Sequence, residues 1–199
     1  MTSIHFYFDF GSPYGYLAST QIGALATKHG AELDWRPMML GPALQATGNK
    51  PNFLVPVKGD YAQVDIKRTA HDLAVPLTMP AKFPIVSLLA ARSFYWLQAN
   101  HPDQAVPFAQ AAYRAHWGQG RDITKREEII DIANSLQLSA DALIEGANTP
   151  EFKTKLKAAT ADAVAAGVFG SPFFIIDGEP FWGVDKLAQI DRWLASGGW

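Results

Sequence analysis

Ser12 is the first residue of this chain whose type and setting point to chemistry. It stands in Asp9-Phe10-Gly11-Ser12-Pro13-Tyr14, where an apolar alternating run gives way to a helical period. A serine followed by proline suits a helix N-terminus for purely structural reasons, because the hydroxyl accepts a free N–H and proline there loses no bond. The same position has a functional reading. A helix N-terminus offers partial positive charge and unpaired N–H groups to an anion such as a thiolate, and the hydroxyl adds a donor. The two readings are compatible, since one side chain can cap the free protein and donate to a bound ligand.

Three further segments carry polar groups in suggestive company. Gly170-Ser171-Pro172-Phe173 leads into a late apolar run. A proline there is an ordinary entry turn or a cis-proline facing the first helix, with the Ser171 backbone free to pair with an extended peptide ligand. The stretch Thr47-Gly48-Asn49-Lys50-Pro51 to Val57-Lys58-Gly59-Asp60-Tyr61 is either a solvated loop or a polar rim. In the second case Lys58 neutralises a ligand carboxylate and Asn49 hydrogen-bonds it. Trp182-Gly183-Val184-Asp185 opens the last helix, where Asp185 either complements the helix dipole or binds a ligand ammonium, and the adjacent N–H groups suit a carboxylate.

Composition removes several alternatives. The chain has no cysteine, so it supplies no disulfide, thiolate metal site, Fe–S cluster or thiol nucleophile of its own, and disulfide oxidoreductase activity is excluded. The formal charge of -2 lacks the basic excess of a nucleic-acid footprint. His5, His29, His71, His101 and His116 show no metal-binding spacing, so no metal is expected, and neither a Gly-x-Ser-x-Gly elbow nor a Walker loop occurs. With 48% hydrophobic residues a sizeable core can form. No apolar stretch reaches the roughly 18 residues of a membrane span, and the first residues lack a leader pattern. A compact, cytoplasmic protein without membrane attachment is expected.

The elements that must position these groups follow from periodicity. Ile4 to Phe10 reads as a strand in which Phe6, Phe8 and Phe10 alternate with His5, Tyr7 and Asp9. Helical spacing of Tyr14, Leu17, Ala18, Ile22, Leu25 and Ala26 follows, closing at Gly30, and Leu33 to Arg36 forms a second strand ending at Pro37. This order predicts a parallel βαβ unit. From Gly41 to Gly59 the prolines and glycines predict a long irregular loop. Helices are expected over 60–74, 84–99, 102–117, 125–136, 139–146 and 150–166, the fourth with a capping box from Thr124 and Glu127. Phe173 to Ile176, Asp177-Gly178 and Glu179 to Trp182 spell a hairpin, and an amphipathic helix from Asp185 to Leu194 closes the chain. The fold class expected is α/β, a thioredoxin-like fold interrupted by an all-helical insertion. Residues 1–40 plus 167–199 form the thioredoxin-like domain and 41–166 the loop and helical insertion.

Taken jointly and in order, several segments give a resemblance to the 2-hydroxychromene-2-carboxylate isomerase family, relatives of kappa-class glutathione transferases and DsbA-like proteins. They are Phe8-Asp9-Phe10-Gly11-Ser12-Pro13-Tyr14, Gly48-Asn49-Lys50-Pro51, Lys58-Gly59-Asp60-Tyr61, His116-Trp117-Gly118-Gln119-Gly120, the stretch from Gly167 to Phe174, and Phe181-Trp182-Gly183-Val184-Asp185. The resemblance covers nearly the whole chain and implies glutathione as cofactor. It implies that Ser12 stands where the redox cysteine would be and holds the glutathione sulfur as thiolate. It further implies that Lys58 and Asn49 handle polar groups of glutathione or substrate, that the Ser171 backbone before Pro172 pairs with the cysteinyl part, and that Gly183, Val184 and Asp185 hold the γ-glutamyl end. Some relatives have serine at Val184, so only a backbone donor remains there.

The activity so implied is isomerisation of a bicyclic aromatic hemiketal carboxylate to trans-hydroxybenzylidenepyruvate by thiolate addition and elimination, in aromatic catabolism. The implied partner is a small aromatic carboxylate, with Tyr14, Phe53, Phe83 and Trp182 available to line its pocket. Relatives that dimerise make a homodimer an expectation. Two other functions share the sequence signals: a kappa-class-like transferase that conjugates electrophiles, and a non-catalytic thioredoxin-like peptide binder. The polar loop 47–61 speaks against the last, because peptide binding needs no paired cationic donors.

Overall fold

The computed structural model describes residues 1–199. Strand β1 (Ser3–Phe8), helix α1 (Pro13–His29) and strand β2 (Glu32–Pro37) form the parallel βαβ unit, with Phe6 opposite Trp35. Strands β3 (Phe173–Ile176) and β4 (Glu179–Trp182) complete a sheet of order β2-β1-β3-β4, in which β3 runs antiparallel to both neighbours. Asp177 and Gly178 both have positive φ, 48° and 94°, the type I′ geometry that an Asp-Gly pair favours in a two-residue hairpin.

Between β2 and β3 lie α2 (Leu40–Ala46), α3 (Lys58–Asp72), α4 (Leu88–Asn100), α5 (Pro102–Tyr113), α6 (Arg126–Ser135), α7 (Ala140–Ala147) and α8 (Pro150–Ala165). A 3-10 turn, Val184–Lys186, leads into α9 (Leu187–Ser196). No helix is long and apolar enough to cross a membrane.

The pleat of β1 divides the core. Phe6 and Phe8 face the larger cluster, stacking on one another and packing edge-on against Trp35, while Phe8 also meets Phe94 of α4 and Tyr113 of α5. Tyr7 faces the other way and joins Phe173, Ala43 of α2 and Ala163 of α8 in a second cluster. The sheet is thus buried on both faces, as parallel-containing sheets require.

Four expectations need correction. The loop expected over 41–59 contains α2 and a 3-10 turn at Asn52–Leu54. Pro42 falls in the first turn of α2, where a missing N–H is harmless, and Ala43 anchors the helix in the second core. The helix expected over 102–117 changes at Arg114 into a π-helical turn, Arg114–Gly118. The capping box at Thr124 does not form: Thr124 gives its N–H and hydroxyl to Asp122 Oδ1, and Lys125 takes the cap position without a side-chain bond. The helix expected over 84–99, α4, starts at Leu88, after a cis Phe83–Pro84 bond.

Candidate functional site

The turn from β1 into α1 holds Ser12 by local geometry. Ser12 is the N-cap of α1 with extended backbone angles, its Oγ accepts the Gly15 N–H at 3.0 Å, and Pro13 takes the first helical position. The hydroxyl donates to the Ser171 carbonyl oxygen at 2.8 Å. Ser171 precedes Pro172 through a cis peptide bond, and Pro172 O accepts the Gly183 N–H at 3.1 Å. Ser12, Ser171, Pro172 and Gly183 therefore meet at one end of the sheet, with the buried Val184 following directly. The N–H groups of Tyr14, Ser171, Val184 and Asp185 have no backbone acceptor, so the donors at this end of the sheet are available to a ligand.

Asp185 follows Gly183 and Val184 at this end of the sheet; its Oδ1 fills the space a Cβ on Gly183 would need, and its exposed carboxylate pairs with Lys186 at 3.5 Å. Asn49 and Lys58 lie apart from the cluster. Asn49 is exposed and donates to Thr47 Oγ1 at 2.8 Å. Lys58 is exposed at the start of α3 and forms no ion pair.

The backbone just before Lys58 is unusual. Val57 has φ 69° and ψ -50°, and the Lys58 N–H closes onto Pro56 O at 2.8 Å. That is a γ-turn of the rare, strained hand, at a β-branched residue. Such strain, about 1–3 kcal/mol, persists only where surrounding structure enforces it and gathers at ligand clamps. An aromatic ladder links this segment to the Ser12 turn. Phe53 packs edge-on against Phe83 (4.9 Å between centroids), Phe83 against Trp117 (5.2 Å), and Trp117 Nε1 donates to Phe10 O at 2.9 Å.

Beneath the turn lies a set of buried groups that sequence reasoning missed. Asp9 is buried, and its carboxylate accepts the N–H of Gly11 and of Leu40, both at 2.7 Å, with Ser87 Oγ at 3.4 Å. Burial raises its pKa above the ordinary carboxylate value, and the two backbone N–H groups work against that rise. Its N–H goes to Ser171 Oγ at 3.0 Å and its carbonyl receives the Tyr113 hydroxyl at 2.9 Å. Tyr113 and Trp117, four residues apart across the π-helical turn, so reach the consecutive carbonyls of Asp9 and Phe10. A lone acid closing an aromatic strand was the available signal for Asp9. Trp117 was visible only as part of the His116–Gly120 segment, and nothing in the sequence singles out Tyr113.

The arrangement can hold a small anion at the α1 N-terminus: it provides a hydroxyl, free N–H groups and the positive end of a helix. It contains no thiol, so a thiolate there must arrive with a ligand. The unpaired N–H groups at this end of the sheet are donors of the kind an extended, anionic peptide ligand takes.

Comparison with known proteins identifies the fold and the family. The model of the DSBA-like thioredoxin domain matches residues 3–195. The chain is 36% identical over 194 residues to the 2-hydroxychromene-2-carboxylate isomerase of Sphingobium xenophagum, covering 96% of this chain and 97% of that one. It is 28% identical to glutathione S-transferase kappa 1 of Homo sapiens, over 96% and 92% of the two chains. Among solved structures, a selenomethionine 2-hydroxychromene-2-carboxylate isomerase superposes with a TM-score of 0.87 at 28% identity, covering 98% of this chain and 94% of that one. The chain is therefore an enzyme of the DsbA-like thioredoxin fold and belongs to the 2-hydroxychromene-2-carboxylate isomerase family.

Proposed function

We propose that the protein is a glutathione-dependent isomerase that converts 2-hydroxychromene-2-carboxylate-type substrates to trans-hydroxybenzylidenepyruvates. The observation that carries this reading is the Ser12 hydroxyl at the α1 N-cap, against the Ser171 carbonyl and beside the free Tyr14 N–H, in a chain without cysteine. Bound glutathione supplies the nucleophilic sulfur, whose addition to the conjugated double bond and later departure allow rotation with no net redox change.

The chain's own residues have four tasks. Ser12 turns its hydroxyl from Ser171 O toward the sulfur, and with the helix N-terminus stabilises the thiolate below the roughly 8.5 pKa of a free cysteine thiol. The Ser171 backbone aligns the cysteinyl unit before Pro172. Gly183, Val184 and Asp185 hold the γ-glutamyl end, Val184 and Asp185 through N–H groups and Asp185 by its carboxylate facing the ammonium. Lys58 and Asn49 close the opposite rim over anionic groups, and the edge of the ladder formed by Phe53 and Phe83 offers a flat apolar wall.

A second reading, conjugation of electrophiles with release of the adduct, shares this site and is supported by the likeness to the kappa-class transferase. Calorimetric titration with glutathione, with an ultraviolet scan for a thiolate band near neutral pH, tests both. Saturable binding with thiolate formation is expected, followed by turnover of a chromene carboxylate. Binding without such turnover, but with conjugation of a model electrophile, favours the transferase. No binding at millimolar glutathione overturns both.

A further inference from the structure

We infer that Asp65 is a positioning residue that acts through Lys58, by fixing the register of α3 against the α1 N-terminus. The inference rests on the reading of Ser12 and Lys58 given above. Helix α3 is held to the core by Gly59, which lies close against the Phe53 backbone, and by Ala62, Ile66 and Ala70, a stripe with one large side chain among small ones. Such a face resists sliding weakly, because small side chains give no interlocking ridge.

The polar tie is specific. Tyr14, two residues beyond Ser12, donates its hydroxyl to Asp65 Oδ2 at 2.8 Å, the one side-chain hydrogen bond between α1 and α3. The other oxygen, Oδ1, takes the Tyr61 hydroxyl at 3.2 Å and Arg68 at 3.3 Å. Arg68 also stands over the Tyr61 ring, 6.0 Å from its centroid. One carboxylate thus clasps the first turn of α1 and the first and third turns of α3. Lys58 lies seven residues, about two turns, before Asp65 on the same helix. Its other support is the strained Val57 turn and the Phe53 ladder. With both ends fixed, the first turn of α3, which carries Lys58, keeps one register against the first turn of α1.

The test is a double-mutant cycle on glutathione affinity, read by calorimetry, with thermal unfolding confirming that each variant is folded. Lys58→Met alone should weaken binding by about tenfold or more, the loss of one charge-assisted bond. Asp65→Ala alone should weaken it roughly threefold to tenfold, and in the Lys58→Met background it should cost less than about twofold. Arg68→Ala, which leaves the Tyr14 bond intact, should bind as the wild type does. Should Asp65→Ala fail to fold, Tyr14→Phe removes only the hydroxyl and takes its place in the cycle. Should Lys58→Met bind too weakly to fit, Lys58→Gln serves as the background. Equal losses in both backgrounds, or none in either, overturn the inference while leaving the glutathione reading intact. Failure of the wild type to bind glutathione overturns that reading and the inference with it.

Discussion

The Ser12 hydroxyl gives its hydrogen to the carbonyl oxygen of Ser171, 159 residues further along the chain, at 2.8 Å. The Ser12 Oγ itself accepts the Gly15 N–H. In the free protein the side chain is therefore engaged twice, as a cap on one side and as a bridge to the cis-proline segment on the other. A thiolate that recruits this hydroxyl must win it from Ser171 O. The exchange is favourable because a charged acceptor makes the stronger bond.

Ser12→Ala separates the structural from the chemical share of that side chain. Loss of the cap and the bridge should lower stability by about 1–2 kcal/mol, read by urea unfolding. If the hydroxyl also stabilises thiolate, turnover should fall by about 10²–10³-fold with the fold intact. A stability loss with turnover unchanged would reduce Ser12 to a helix cap.

Gly15 is where the first turn of α1 comes closest to the groups beneath it. A Cβ at this position would lie 2.6 Å from the Tyr113 hydroxyl, 2.9 Å from Ser171 Oγ and 3.2 Å from Ser12 Cβ. Gly15→Ala should destabilise by about 1–3 kcal/mol, despite alanine being the better helix former. Tyr113→Phe removes the nearest of the three atoms but also the bond to Asp9 O, so the comparison is a cycle: Gly15→Ala should cost less in the Tyr113→Phe background than in the wild type. Thermal unfolding of both single variants and the double variant checks this, and an equal cost in both backgrounds would place the obstruction at Ser171.

How much of this was legible beforehand depends on range. The βαβ start and the ββα end could be read because Gly30, Pro37 and Asp177-Gly178 punctuate clear changes of period, and Ser12-Pro13 announces a cap by local chemistry. Helix α2 was hidden because Gly41 and Pro42 argue locally against a helix that Ala43 secures by tertiary packing. The Thr124 capping box failed because Asp122, two residues away, competes for the same donors. Nothing local announces that Tyr113 will reach Asp9 across 104 residues, or Tyr14 reach Asp65 across 51. Those bonds exist only once helices pack, so the polar residues were visible and their partners were not.

Val57→Gly should raise stability and lower ligand affinity together. Glycine adopts a φ of 69° without a Cβ penalty, so relief of strain should add about 1 kcal/mol, offset in part by the greater freedom of the unfolded chain. The same freedom loosens the turn that sets Lys58 at the head of α3, and glutathione should bind roughly twofold to fivefold more weakly. Paired thermal unfolding and calorimetry decide this. A gain in stability with no change in affinity would mean that the turn does not serve Lys58.

His116 sets a pH dependence whose sign can be worked out. Its side chain is buried in the π-helical turn, Nδ1 lies 2.7 Å from Arg121 O, and Nε2 has no partner. The short contact to a carbonyl makes Nδ1 the protonated nitrogen of a neutral ring. Burial lowers its pKa below the ordinary 6.5, while the Arg121 carbonyl and Asp122 oppose that shift. The unfolded chain therefore takes up this proton before the folded one does. The stability linked to His116 is fully present above pH 6.5 and is lost as pH falls through the folded-state value, at up to about 1.4 kcal/mol per pH unit. His116→Asn keeps an N–H for Arg121 O and removes the titration. Urea unfolding between pH 7.5 and about 5 should show a steeper acid-side loss in the wild type than in the variant. Parallel slopes would mean that the ring is protonated in the folded state with Nε2 solvated. The turn that carries Trp117 to Phe10 O would then open as pH falls, rather than stay closed around a neutral histidine.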